Sequence, residues 1–260
     1  MSDEDISLDE KRVYTDTAGT TTAFVGTATG VVRVSVSDDI VGEFSLEWRG
    51  EVIDIAATER QLAISTPEDV FVRDDGTFQE TGFGPASAVG YGENDALLAA
   101  GDGQLERYND GWEILGSVDN VRAIDGEMVA AGSGVYRLDG THVGLDDVHD
   151  IATAGTPLAA TESGLYYLAN GWVRALEGDV SVVASDRVKS HAATAETLYA
   201  NDEENEWATV DLPVAGTVRD VAYSEGTYAV TEDGTFLANA GDGWRHRSLG
   251  VLGISGMTVP

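Results

Sequence analysis

The chain has no cysteine, only two lysines, few prolines and no long apolar run, and each shortage removes a class of protein. Without cysteine no disulfide can staple the fold, and no thiolate can serve as nucleophile or metal ligand. At 260 residues and 42% hydrophobic, the chain can bury a sizeable core without staples. No stretch approaches the ~18 apolar residues of a membrane span. Residues 1–10 (MSDEDISLDE) are acidic where a secretory signal would be basic, and no apolar segment follows them. A soluble, cytoplasmic protein is expected. Sustained helical periodicity is also missing, which turns attention to strands.

Charge of one sign is scarce as well. Against 46 acidic residues stand 15 basic ones, giving a formal net charge of −31. Lys11 and Lys189 are the lysines; the other bases are arginine. Nucleic-acid backbones need a basic face, and the densest basic piece, Arg245-His246-Arg247, is too short to make one. Three readings compete for the acidity. A disordered acidic chain would carry its acids in blocks, whereas apolar runs recur throughout this one. A calcium-loaded secreted protein is the second. The third is a protein of a salt-loaded cell, where molar salt shortens the Debye length to about 3 Å and mutes carboxylate repulsion. Near-absence of lysine with arginine retained fits the third, so the charge speaks of solvent more than of partners.

What the sequence does have is a repeat. Residues 23–34 read AFVGTATGVVRV, 62–73 LAISTPEDVFVR, 98–108 LAAGDGQLERY, 129–138 VAAGSGVYRL, 158–168 LAATESGLYYL, 191–200 HAATAETLYA and 228–238 YAVTEDGTFLA. Each is a short apolar strand, a tight polar turn and a second strand with aromatic or β-branched residues, the pattern of a β-hairpin. The turn column is Gly30, Asp69, Gly103, Gly134, Gly164, Glu196 and Gly234, with a mean period of about 34 residues. Glycine adopts φ > 0 freely; Asp69 and Glu196 predict turns of a different type. A second column, Trp48, Phe78, Trp112, His142, Trp172, Trp207 and Trp244, mostly follows Asp-Gly or Asn-Gly turns and reads as an aromatic opening each outer strand, packed between neighbouring units. A third column precedes the hairpins: VIDIA from Val52, ASAVG from Ala86, VRAID from Val121, VHDIA from Val148, VSVVA from Val180 and VRDVA from Val218. These are the innermost strands.

Four strands repeated seven times with short polar connections predict an all-β, seven-bladed β-propeller. The first unit has no innermost strand of its own, while residues 251–259 supply an extra one. The expectation is a ring closed by this C-terminal strand joining blade 1, because an open end would leave strand edges unpaired. Residues 1–12 read as an acidic disordered tail and 13–260 as one propeller domain, with Val13-Tyr14 as a possible added strand.

The hairpins at Val25-Gly26-Thr27-Ala28-Thr29-Gly30-Val31 and at Ala159-Ala160-Thr161-Glu162-Ser163-Gly164-Leu165-Tyr166 resemble the sensor propeller repeat of two-component regulators. Asp74-Asp75-Gly76-Thr77-Phe78 resembles a degenerate Asp-box, lacking its opening Ser/Thr, of the sialidase and sortilin-like propellers. With the acidic composition added, the chain over roughly residues 20–260 is similar to small haloarchaeal β-propeller proteins. The resemblance implies the fold; function is separable from it.

Chemistry is thinly signalled. Carboxylate pairs at glycosidase spacing arise by chance among 46 acids. The arginines are scattered, not clustered as a sialidase-type site requires. The four histidines, His142, His149, His191 and His246, show no ligand spacing, and there is no calcium loop, phosphate loop or nucleophile elbow. No catalytic residue, metal or cofactor is expected. One feature rises above this background. The innermost strands carry Asp54, Asp150 and Asp220 at one position, preceded by Ile53, His149 and Arg219, with Arg122 in the same column. Asp54, Asp150, Asp220, His149, Arg122 and Arg219 are therefore candidates for a polar ring at the channel mouth, able to hold a cation or small polar ligand. The structural alternative is that each aspartate accepts hydrogen bonds from neighbouring loop amides. The leading functional expectation is a monomeric, non-enzymatic scaffold for an unidentified protein partner, followed by a small-ligand or cation-binding propeller and then a hydrolase.

Overall fold

The structure, a computed structural model, describes residues 20–201 and 206–260. The expected tail, with Val13 and Tyr14, lies outside the described residues. Among those residues, twenty-eight strands form seven four-stranded antiparallel sheets, a seven-bladed propeller. Blade 1 comprises β1 (Thr20–Thr27), β2 (Gly30–Ser37) and β3 (Ile40–Arg49), completed on its inner side by the last strand, β28 (Ile254–Thr258). Phe24 pairs with Thr258, Val25 with Met257 and Gly26 with Gly256. The C-terminal closure is thus as expected. The other six blades are contiguous in sequence; their innermost strands are β4 (Asp54–Ala57), β8 (Ala88–Tyr91), β12 (Val121–Asp125), β16 (Val148–Ala152), β20 (Val182–Ser185) and β24 (Val218–Tyr223).

The second strand of each repeat is a near-continuous run of small and β-branched residues, buried on both faces in Leu62–Ser65, Leu158–Thr161 and Thr227–Thr231, and the core these strands make lies between blades. Seven buried clusters fill the seven interfaces. Across the closure, Val34 and Met257 of blade 1 meet Tyr228 and Phe236 of blade 7. Trp112, Trp172 and Trp207 each open an outer strand and pack against the preceding blade. Trp48 departs from the expected column. The β2–β3 hairpin is long and turns at Asp38 and Asp39, so Trp48 ends β3 opposite Val31 instead of opening it. There it lies 5.3 Å from Phe71 and 5.9 Å from Phe78 of blade 2. Trp244 stands just ahead of its strand, β27 (Arg245–Ser248).

The threonine of the hairpin motif is a turn staple. The Thr161 hydroxyl accepts from the amides of Ser163 (3.2 Å) and Gly164 (3.1 Å) and donates to the Gly164 carbonyl (2.8 Å); Thr27 does the same in blade 1. The Asp69 and Glu196 turns do differ in type, being four-residue connections over 66–69 and 194–197, again stapled by Thr66 and Thr194. A second clasp closes the ring on its outside. Arg245 of β27 donates to Asp39 at 2.5 Å, and Arg247 donates to the carbonyl of Gly42 at 2.5 Å while covering the Phe44 ring at 5.0 Å. The basic tripeptide therefore serves ring closure.

Candidate functional site at the channel mouth

The innermost strands surround the central channel, and each exposes one edge that no further strand pairs. A bulge interrupts four of them one residue before the aspartate column. Arg122, His149, Arg219 and Ser255 are inserted residues, skipped by the ladder, and Ile53 donates to the same Ser65 carbonyl level at which Asp54 is paired. A bulge re-aims side chains and leaves backbone groups without a ladder partner, so these edges need other acceptors and donors.

The aspartates supply the acceptors. Asp54 takes the amide of Ile55 in its own strand (2.8 Å) and of Val89 in the next blade (2.9 Å). Asp150 takes Ile151 (2.8 Å) and Val183 (2.9 Å), and Asp220 takes Val221 (2.7 Å) and Met257 (2.6 Å). Each carboxylate thus stitches one blade to the next: 2 to 3, 5 to 6, and 7 to 1. Their amides belong to strands, not to the loops expected. Arginines do the complementary work on carbonyls. Arg122 of blade 4 donates to Val148 O in blade 5 at 3.2 Å, and Arg219 of blade 7 donates to Ile254 O in blade 1 at 3.3 Å. The closing junction is held by both kinds of stitch, and so is the junction of blades 4 and 5, where Asp125 also accepts from the Thr153 amide and hydroxyl.

The six candidates consequently do not form one ring. Asp54, Asp150 and Asp220 line a depression of about 720 Å³ at the mouth where the C-terminal ends of the inner strands meet; Arg122, His149 and Arg219 are not among its lining residues. His149 sits in its own cluster, with Nδ1 3.2 Å from Arg122 and Nε2 3.3 Å from the Asp179 carboxylate, out of hydrogen-bond alignment.

Burial pushes the three aspartates up, to about 6 for Asp54, about 8 for Asp150 and about 7 for Asp220, against the opposing pull of their amide bonds. Repulsion among the three adds to the rise at Asp150 and Asp220. Gly256 lies between two of them: a Cβ there would stand 3.2 Å from Asp220 and 3.9 Å from Asp54. The depression also has lining residues that the repeat columns did not single out, among them Glu59, Arg60, Tyr91, Asp95, Asp186 and Tyr223. They fall at or just past the C-terminal ends of the inner strands, so their distance from the aspartate column was the available signal. Tyr91 has a buried hydroxyl with no hydrogen-bond partner among the described residues, and burial raises its pKa. Tyr223 is held at 2.8 Å from Nδ1 of His191, which burial pushes down to about 4 and so keeps neutral. Among the described residues no three His, Asp or Glu side chains are grouped to hold a metal ion. None of the described helices is long and apolar enough to cross a membrane.

A family model for HVO_0234-like beta propellers matches residues 7–260. No curated protein sequence matches the chain. Among solved structures, YCF48 bound to D1 peptide superposes with a TM-score of 0.61 at 11% identity, over 93% of this chain and 96% of that one. Apo AztD from Citrobacter koseri superposes with a TM-score of 0.56 at 11% identity, over 94% and 98%. A second structure of Citrobacter koseri AztD gives 0.54 at 12%, over 94% and 98%. At such identities these likenesses speak to the fold alone.

Proposed function

This chain belongs to the HVO_0234-like β-propeller family, and we propose that it is a non-enzymatic scaffold which seats a protein partner on the face bearing the acidic channel mouth. One observation carries the reading. The polar residues that chemistry would need at the centre of the ring are engaged in holding blade to blade, while the concavity above them stays open. Apart from the three buried aspartates, its lining has four acidic side chains, Glu59, Asp95, Asp125 and Asp186, against a single arginine, Arg60, so the partner would present cationic groups there. YCF48, a propeller of similar shape, has been solved with a peptide bound, which supports a ring of this kind seating a polypeptide. The acidic composition and scarcity of lysine support a monomer working in the cytoplasm of a halophilic archaeon.

A second reading rests on Tyr91, whose unpartnered hydroxyl borders the same depression and would suit a small polar ligand. The deciding experiment is an affinity pull-down of tagged protein from its own cell lysate in molar salt. A stoichiometric partner lost on the Glu59→Lys/Asp186→Lys variant but kept on an outer-edge Ile114→Ser variant supports the scaffold. Capture indifferent to the mouth variant counts against this face, and a bait with no partner shifts weight to the small-ligand reading.

A further inference from the structure

On the face that bears the channel mouth, a separate cleft of about 750 Å³ opens between blades 5 and 6, with Ser185 at the border of the two. Blade 5 contributes the turn after β16 and the end of the strand Gly164–Leu168; blade 6 contributes the turn after β20 and the start of the strand Trp207–Val210. The walls are apolar, with Leu158, Tyr167 and Leu168 from blade 5 and Val188 and Trp207 from blade 6. Tyr167 and Trp207 rest on one core cluster yet stay partly exposed, and Val188 is 62% exposed at the tip of its turn. No Asp or Glu stands among the described residues that line this cleft. In a chain with 46 acids in 260 residues, and beside a mouth lined by seven of them, an anion meets no opposing carboxylate here.

The polar groups of the cleft leave one charge unspent. Ser185 donates to the Ala154 carbonyl of blade 5 (2.8 Å) and accepts from the Ser190 hydroxyl (3.0 Å), so those hydroxyls are engaged. Arg187 lines the cleft and is exposed, and its guanidinium has no hydrogen bond or ion pair among the described residues. Its neighbour Asp186 does not pair with it: that carboxylate takes the amides of Val188 (2.9 Å) and Lys189 (2.7 Å) and borders the channel mouth instead. With Lys189, the turn carries two cations against this one carboxylate. The Arg187 backbone is set as well. It holds φ of 83°, in the left-handed region that non-glycine residues seldom adopt, and Gly155 of blade 5 is so near that a Cβ there would stand 3.4 Å from the Arg187 Cα.

We propose that this cleft binds a small aromatic acid bearing one carboxylate, its ring against Tyr167, Leu168 and Trp207 and its carboxylate on Arg187. Small-ligand sites are mostly apolar concavities of roughly 300–1,000 Å³ with a few polar groups that fix orientation, and a guanidinium matches a carboxylate fork to fork. A cation finds no partner in this lining, and a second carboxylate or a phosphate brings more charge than one free arginine answers. The site lies apart from Tyr91 and does not rest on the scaffold reading, so the pull-down neither supports nor removes it. The probe is 3-phenylpropionate, titrated into the full-length protein in molar KCl while amide and indole NMR shifts are followed, with the neutral 3-phenylpropanamide as its counterpart. The expected result is shifts at the Trp207 indole N–H and the amides of residues 186–189, binding of the neutral compound weaker by at least about fivefold, and loss of that difference in Arg187→Gln. Arg187 is exposed and glutamine makes the same backbone demand, so the variant should melt with the parent; the acid-against-amide comparison in the parent needs no variant at all. Equal binding of acid and amide, selectivity that survives in Arg187→Gln, shifts centred on Tyr91 or scattered over the surface, or no shift at millimolar acid overturns the proposal.

Discussion

Replacing Asp220 by alanine should weaken the ring in a way that depends on pH with an unusual sign. The substitution strips two amides, Val221 and Met257, of their acceptor at the junction where the last blade meets the first. Each buried amide left unpaired costs about 1–3 kcal/mol, so the loss of two is about 2–6 kcal/mol where charge is not at issue. Charge enters as pH rises. Burial lifts Asp220 from 3.8 to about 7, so between those values the folded state keeps a proton that the unfolded chain has released. Parent stability then falls as pH rises, by about 1.4 kcal/mol per unit, opposite to the usual salt-bridged aspartate. Alanine has no such dependence. The penalty of Asp220→Ala should be largest near pH 4 and shrink towards nothing by pH 7. Urea unfolding of both proteins in molar KCl at pH 5, 6 and 7, followed by circular dichroism, measures this directly. A penalty that is flat or grows with pH would show that the two short amide bonds hold the carboxylate in its charged form, and the reasoning from burial would fail.

Three further outcomes follow from the same geometry. Deleting residues 251–260 removes β28 and leaves the inner edge of β1 unpaired; the cooperative thermal transition of the parent should disappear, and a truncated chain melting with the parent would refute closure by this strand. Gly90→Ala drives a Cβ to 2.4 Å from the Ile124 carbonyl of the next blade, which must force blades 3 and 4 apart at about 1–3 kcal/mol, read by calorimetry as a Tm drop of roughly 3–10 °C. Thr161→Val keeps the shape but loses the hydroxyl that serves two turn amides, costing about 1–2 kcal/mol, visible as a lower urea midpoint at unchanged slope.

The fold was legible because propeller blades write themselves locally. Each hairpin carries its own turn chemistry: Asp75 and Gly76, at φ of 45° and 78°, form the left-handed pair that an Asp-Gly turn announces, and Thr27 and Thr161 staple turns only two residues long. Closure was legible too, since a surplus strand at one end answered a missing strand at the other. What misled was the aromatic column at Trp48. Its place depended on the length of the β2–β3 hairpin, and blade 1 extends β3 to ten residues so that it can meet Arg245 and Arg247 of β27. Those contacts join positions about two hundred residues apart, and no repeat pattern carries that information.

The inner ring was half legible for a different reason. An acid recurring on channel-lining strands looks the same in sequence whether it waits for a ligand or accepts from backbone, because both uses need a carboxylate facing inward. The count of blades separates them. Each aspartate accepts one amide from its own blade and one from the next, so three of them serve six blades in pairs: 2 with 3, 5 with 6, 7 with 1. An odd ring leaves one blade over. It is blade 4, where the column holds Ala123, and there the stitch to blade 5 is made by Arg122 on a carbonyl and by Asp125, two residues beyond the column, on the amide and hydroxyl of Thr153. A ligand ring would have no reason to skip blades in this pattern, whereas a ring that must satisfy its own unpaired edges does. The irregular spacing of Asp54, Asp150 and Asp220, at blades 2, 5 and 7, is thus what a structural duty produces. On the proposed scaffold reading, recognition falls to the side chains at and beyond the ends of the inner strands, which do not repeat.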